Sequence, residues 1–277
     1  MGKSLHTLTH GWQYQIKPAT VQCIVGDALT KITKLGRKEL GLVGASRTDA
    51  GVHAWGQVAH FTTPFFFDQL ESLHAGLNGV LPPDIRVREV AAVKTDFHAR
   101  YSALKKTYHY KIYNDAIMDP FQNLYAYHFA HKLNIDVMRQ AAKYFIGQHD
   151  FSAFITMSRG GLPTDPRREI FRFDVVKMGA NIQLEIEGSG FFYKQVRNMV
   201  ALLLEIGKEA VPAEVVFDVL ASCDRRTLAR HCIIVPPQGL CLMSVTYATT
   251  DLETPPGSPT ACYGRQPQIS KCTLVYY

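Results

Sequence analysis

The sequence has no apolar run long enough to cross a bilayer: stretches such as residues 200–206 fall far short of the roughly 20 residues a span requires. It has no Cys-x-x-Cys pair either. Six cysteines (Cys23, Cys223, Cys232, Cys241, Cys262, Cys272) are scattered along the chain, so neither a disulfide framework nor a zinc ribbon is indicated and reduced thiols are expected. His128 and His131 stand three apart, but no nearby Cys or carboxylate completes a ligand set, and no metal is expected. The first ten residues lack the apolar centre of a signal peptide and are too few for a transit peptide. An intracellular, soluble protein is expected, most simply cytoplasmic, with organelle and nucleus left open. Charge of one sign is also in short supply. Thirty Lys and Arg against 24 Asp and Glu leave +6, compatible with a basic face for phosphate but not diagnostic of one.

What is present is enough for a packed protein: 277 residues with 47% hydrophobic content allow one large or two ordinary domains. Val21, Ile24, Val25, Ala28, Leu29 and Ile32 recur at the spacing of one helix face, with Thr20 as N-cap, and predict a helix over 20–35 that ends at Gly36. Strand composition follows at 40–44 and 52–62, split by a turn-prone stretch over 46–51. A helix near 68–77, a Pro82-Pro83 turn and a strand over 85–93 come next.

Residues 106–113 alternate Tyr108, Tyr110 and Ile112 with polar residues, which predicts a half-buried strand opening a second half. That half continues with helices over 135–146, 192–206 and 213–221 and strands over 170–178, 182–187 and 240–247. The expected class is α+β, mainly antiparallel sheet with helices on one face. Two similar subdomains, 1–104 and 105–248, would flank a central cleft. Residues 249–277 are rich in breakers and read as a disordered tail.

The most informative segment is Gly44-Ala-Ser-Arg-Thr-Asp-Ala-Gly-Val-His-Ala54, a polar, glycine-bounded turn between two apolar strands that would expose Arg47 and Asp49 together. Around it stand Gly11-Trp-Gln13, Thr20-Val-Gln22, Gly56-Gln-Val58 and His60-Phe61. Downstream come Asp96-Phe-His-Ala-Arg100, Lys106-Thr-Tyr-His-Tyr110, Gly147-Gln-His-Asp-Phe-Ser-Ala-Phe154, Phe192-Tyr-Lys-Gln-Val-Arg-Asn-Met199 and Gly239-Leu-Cys-Leu242. In this order, over about residues 11–247, the chain closely resembles the TruA family of tRNA pseudouridine synthases.

The resemblance implies that Asp49 is the catalytic aspartate, Tyr108 the active-site tyrosine and Arg197 the arginine that pairs with the aspartate. It places Arg47, Thr48 and His53 in the same loop and, with Lys106, makes them candidates for substrate contact. Lys105, Arg100, Arg167 and Arg168 are further candidates to hold an RNA backbone. The chemistry suits these residue types. Detaching uracil from C1′ builds oxocarbenium-like charge, which an ionised carboxylate stabilises or traps, while a guanidinium keeps that carboxylate charged and oriented. A tyrosine can stack on the flipped base and assist loss of the C5 proton. The expected partner is tRNA, bound at its anticodon stem-loop by a homodimer without cofactor or membrane.

In one place the pattern departs from the family, whose members begin with a strand leading into Tyr-x-Gly-x-x-Phe-x-Gly-Trp-Gln. Here only Gly11-Trp12-Gln13 remains, after Ser4-Leu-His-Thr-Leu-Thr-His10, so the first strand is expected to be missing or replaced. That break raises the alternative of a catalytically idle RNA-binding variant. A retaining glycoside or nucleoside hydrolase would need a second carboxylate at a comparably marked site, and the sequence offers none.

Overall fold

The computed structural model describes residues 11–156 and 163–262. They form two compact units that the chain visits in turn: the first takes residues up to 50, 58–103 and from 247 onward, the second 51–57 and 104–246. The segment before Gly11, where the first strand is expected to be missing or replaced, lies outside the described residues.

In the first unit, helix α1 (Val21–Thr33) starts where the Thr20 hydroxyl accepts the Cys23 N–H. It ends at Lys34, which turns left-handed and returns its N–H to Thr30, two residues before Gly36. Helices α2 (Arg37–Leu40) and α3 (Leu70–Val80) pack with α1 around Ala28, Leu29, Leu40, Leu73, Leu77 and Leu81. Strand content is lower than the composition predicts. Strand β1 (Val43–Gly44) pairs antiparallel with β3 (Ala59–His60), and β2 (His53–Ala54), from the same predicted run, belongs to the other unit.

The predicted strand over 85–93 does not form: Val90 alone bridges to Cys262. The reason is local satisfaction of the backbone. Asn78 on α3 accepts the Val87 N–H at 2.9 Å and donates to its carbonyl at 2.8 Å, with His74 on the same carbonyl at 2.9 Å, so no ladder partner is needed there. Within the stretch expected to be disordered, residues 249–262 hold a 3-10 turn (Thr249–Leu252), a Lys94–Glu253 ion pair and the backbone pairing of Cys262 with Val90. Residues 263–277 lie outside the described residues.

The second unit is a seven-stranded mixed sheet with helices. Its elements are β4 (Ala103–Tyr113), β5 (Tyr127–His128), α4 (Ile135–Lys143), β6 (Gly147–Asp150), β7 (Arg167–Met178), β8 (Asn181–Gly188), α5 (Gln195–Gly207), α6 (Val215–Ser222), α7 (Arg225–Ala229) and β9 (Leu240–Tyr247). The strand order is β2-β9-β4-β8-β7-β6, with β5 pairing β4. The long ladders β4–β8, β7–β8 and β6–β7 are antiparallel; the two-residue ladders β2–β9 and β4–β5 are parallel.

Period-two alternation sorts the sheet into two faces. Tyr108, Tyr110, Ile112, Ile182, Leu184, Ile186, Phe173 and Val175 pack with Met138 of α4, Met199 and Leu203 of α5 and Val216 of α6 in one apolar core. The alternate residues carry a polar network: Lys105 to Glu187 at 3.0 Å, Arg172 to Glu185 at 2.7 Å and Gln183 to Glu185 at 2.8 Å. Helix α5 begins at Gln195, later than the predicted 192, because Lys194 is left-handed and the Gln195 side chain accepts the Phe192 N–H.

Candidate active site

The loop that carries Arg47, Thr48 and Asp49 leaves β1 and is fastened by the Gly11-Trp12 segment. The Trp12 N–H donates to the Thr48 carbonyl at 3.0 Å. Gly11 has φ +82, and a Cβ there would stand 2.6 Å from that carbonyl and 3.0 Å from the Asp49 carbonyl carbon, so only glycine lets the two backbones approach. The buried Trp12 ring lies against Gly44, where a Cβ would come within 2.3 Å of it. This segment is tied in turn to α1: Val21 and Gln22 donate to the Gly11 and Trp12 carbonyls, and the Gln22 amide donates to Leu42. The separated sequence motifs at 11–13, 20–22 and 44–49 are thus one hydrogen-bonded frame. Arg47 is exposed at its surface, while Thr48 and Asp49 are half-buried.

Two residues beyond Asp49 the chain enters the second unit, and there it is held again. A Cβ on Gly51 would stand 2.9 Å from the Pro237 ring, and His53 and Ala54 pair in parallel with Cys241 and Leu242 of β9. The segment before Pro237 is clasped from the core. The Tyr110 hydroxyl donates to the Pro236 carbonyl at 2.8 Å and the Arg197 Nε donates to the Val235 carbonyl at 2.8 Å. Tyr110 is completely buried, and burial pushes its phenol far above the ordinary range, with the nearby Arg197 charge opposing, so it stays a donor.

Tyr108 and Arg197 belong to this unit. Tyr108 lies opposite Ile186 in the β4–β8 ladder, 6% exposed, its ring meeting that of Phe191 edge-on at 5.3 Å. Arg197, 8% exposed, sits in the first turn of α5. A guanidinium that deep is held by its hydrogen bonds and is not a surface side chain lying along an apolar patch. Its neighbours Gln195 and Asn198 are also buried and bonded, Asn198 to the Phe154 carbonyl at 2.6 Å.

The remaining candidates separate. Lys106 shares the Tyr108 face of β4 by alternation, whereas Lys105 faces the other side and is engaged by Glu187. The His53 ring nitrogen Nε2 bonds the Leu124 carbonyl at 2.8 Å, and the ring packs against Tyr125, so this imidazole ties β2 to the 121–125 turn. Arg167 bonds Asp165. The Arg168 guanidinium lies 4.0 Å over the Phe192 ring, and burial lowers its pKa. Arg100 is exposed on a turn of the first unit. Among the described residues no helix is long and apolar enough to cross a membrane, and no group of three His, Cys, Asp or Glu is placed to hold a metal ion.

Sequence reasoning did not find the Tyr110–Pro236 and Arg197–Val235 clasp. The Pro236-Pro237-Gln-Gly239 run before β9 was its one visible trace, since such a run marks a fixed turn but not what fixes it.

The profile of a family described as tRNA pseudouridine synthase matches residues 141–248. A protein of Protochlamydia amoebophila (strain UWE25) named tRNA pseudouridine synthase A 1 is 40% identical over 238 residues, covering 86% of this chain and 91% of the relative. The tRNA pseudouridine synthase A of Thermoanaerobacter sp. (strain X514) is 42% identical over 86% of this chain and 94% of its own. That of Chlamydia muridarum (strain MoPn / Nigg) is 38% identical over 87% and 88%. Similarity of this extent, over almost the whole of each relative, shows that the chain belongs to the tRNA pseudouridine synthase A family of isomerases.

Proposed function

We propose that this chain isomerises uridine to pseudouridine in the anticodon stem-loop of tRNA, with the Asp49 carboxylate acting on a nucleotide flipped out of its stack. The observation that carries the proposal is the anchorage of the Asp49 loop on the Gly11-Trp12 segment, the Trp12 N–H on the Thr48 carbonyl and Gly11 packed against the Thr48-Asp49 backbone. A carboxylate that must meet a short-lived sugar cation needs a fixed position more than it needs reactivity. The names of the relatives, each a tRNA pseudouridine synthase, support the substrate class.

In this reading the C1′–N1 bond breaks, and Asp49 stabilises the positive sugar or bonds to C1′. The uracil turns, C5 forms the new bond to C1′, the C5 proton leaves and N1 gains a proton. Atoms and electrons balance within the nucleotide, so the steps call on no cofactor. Arg197 keeps the Asp49 carboxylate ionised and oriented. The Tyr108 ring supports the flipped base, and its hydroxyl assists removal of the C5 proton. Arg47, Thr48, His53 and Lys106 contact the substrate, and the enzyme works as a homodimer.

Incubation of the purified protein with unmodified tRNA, followed by position-resolved pseudouridine mapping, tests the proposal. Pseudouridine in the anticodon arm is expected. Tight binding with no pseudouridine formed is the behaviour of an idle RNA-binding variant and would overturn it.

A further inference from the structure

The turn that follows Asp96-Phe-His-Ala-Arg100 is fastened far more firmly than an exposed connection requires. Ala99 is fully buried; its N–H donates to Nδ1 of His60 at 3.0 Å, and its carbonyl accepts the Tyr247 hydroxyl at 2.6 Å. Nδ1 of His98 accepts the N–H groups of Arg100 at 3.1 Å and Tyr101 at 3.2 Å. The His98 and Ser102 backbones close the turn: His98 N–H donates to the Ser102 hydroxyl and Ser102 N–H to the His98 carbonyl. All of these contacts lie within the first unit.

What this fastening presents to solvent is Tyr101, 78% exposed, with its ring stacked on the His98 imidazole at 4.3 Å and 30°. His98 is braced from behind by the His60 ring at 4.7 Å. The Arg100 guanidinium, also exposed, stands 5.8 Å from the Tyr101 ring centroid. A lone exposed tyrosine needs no explanation. A tyrosine backed by an imidazole on a bolted turn, with an arginine beside it, is a preorganised surface: the ring and the backbone lose little freedom on binding, so contact with its open face is not offset by ordering.

Resting on the functional reading above, we propose that Tyr101 is a stacking platform for an unpaired nucleobase of the bound tRNA, with Arg100 on the adjoining phosphate. The chemistry selects this ligand. A π-face and a guanidinium side by side match a base and its phosphate, and stacking of this kind needs no particular base. The chain's net charge of +6 and its membership of a tRNA-modifying family favour RNA over a protein surface as the occupant.

Filter binding of unmodified tRNA to the full chain, at several salt concentrations, tests this. Tyr101→Ala is expected to weaken binding about 5- to 150-fold, the worth of one stacked base, with the salt slope unchanged. Tyr101→Phe and Tyr101→Trp keep the π-face and should bind within about twofold of wild type. Tyr101→Leu, which still covers His98 but has no π-face, should behave like Tyr101→Ala. Arg100→Ala should lower the salt slope by about one. Equal melting temperatures show that the turn has not collapsed, and Tyr101→Leu serves if Tyr101→Ala alone is unstable. Wild-type affinity in both Tyr101→Ala and Tyr101→Leu, or an equal loss in Tyr101→Phe, overturns the platform. If wild type modifies tRNA while these variants bind it normally, only the platform falls. If wild type neither binds nor modifies tRNA, the functional reading falls and the platform with it.

Discussion

Replacing Gly11 by alanine should damage turnover from a residue that carries no functional group. The added methyl would meet the Thr48 carbonyl at 2.6 Å, where ordinary contact begins at 3.4 Å, so the loop must retreat by about 0.8 Å or Gly11 must move away from it. The partner is backbone, one residue from Asp49, and cannot rotate out of the way as a side chain would. The left-handed φ of +82 adds about 1–2 kcal/mol of strain for any residue with a Cβ. For a chain of this size that is a fall in Tm of about 2–4 °C per kcal/mol. Misplacing a reacting group by about 1 Å costs on the order of 100-fold in rate, so kcat should fall about 10- to 100-fold while tRNA affinity holds. Gly41→Ala is the control: its φ is +53, but the nearest atom to a new Cβ is the Thr62 hydroxyl at 3.9 Å. With the left-handed backbone but no clash, it should lose less stability and keep its turnover. Single-turnover pseudouridine formation and thermal melts of both variants make the comparison. Wild-type turnover in Gly11→Ala, or equal losses in the two, would refute the reasoning.

Two further outcomes follow from the clasp and from the imidazoles of His60 and His109. Tyr110→Phe keeps the buried ring but leaves the Pro236 carbonyl without its donor, so it should cost about 1–3 kcal/mol in urea unfolding and lower kcat more than tRNA affinity; unchanged stability would mean that another donor takes over. Burial holds His60 and His109 below their ordinary 6.5, so the fold favours their neutral forms. Their stabilisation is complete above pH 6.5 and is lost as pH falls through the lower folded values. Urea stability should therefore drop as pH falls below about 6.5, less so in His60→Asn, and a flat profile there would contradict it.

Long elements with a clear period were legible in the sequence. The apolar face and Thr20 cap of α1 and the Tyr108-Tyr110-Ile112 alternation of β4 each encode their structure locally. What was not legible depends on distant partners. The predicted strand over 52–62 became two short pieces because β2 pairs with β9, nearly 190 residues later, and β3 with β1. The 85–93 strand was lost because Asn78 and His74 satisfy Val87, an arrangement invisible without the fold. Strand β6, Gly147–Asp150, has no apolar alternation to announce it. At the site, the residue types and their order were readable. The frame that fixes Asp49 was visible only as separate motifs, and the Tyr110–Pro236 hydrogen bond, spanning 126 residues, left no local signal.

The most direct test of the central claim is pseudouridine formation by Asp49→Asn under single-turnover conditions on unmodified tRNA. The substitution keeps side-chain size, exchanges one acceptor oxygen for an amide donor and removes the charge that would stabilise or trap the sugar cation. The account predicts that tRNA affinity stays within a few-fold of wild type while pseudouridine is no longer formed at any position. Turnover by Asp49→Asn at a rate near that of wild type would contradict it.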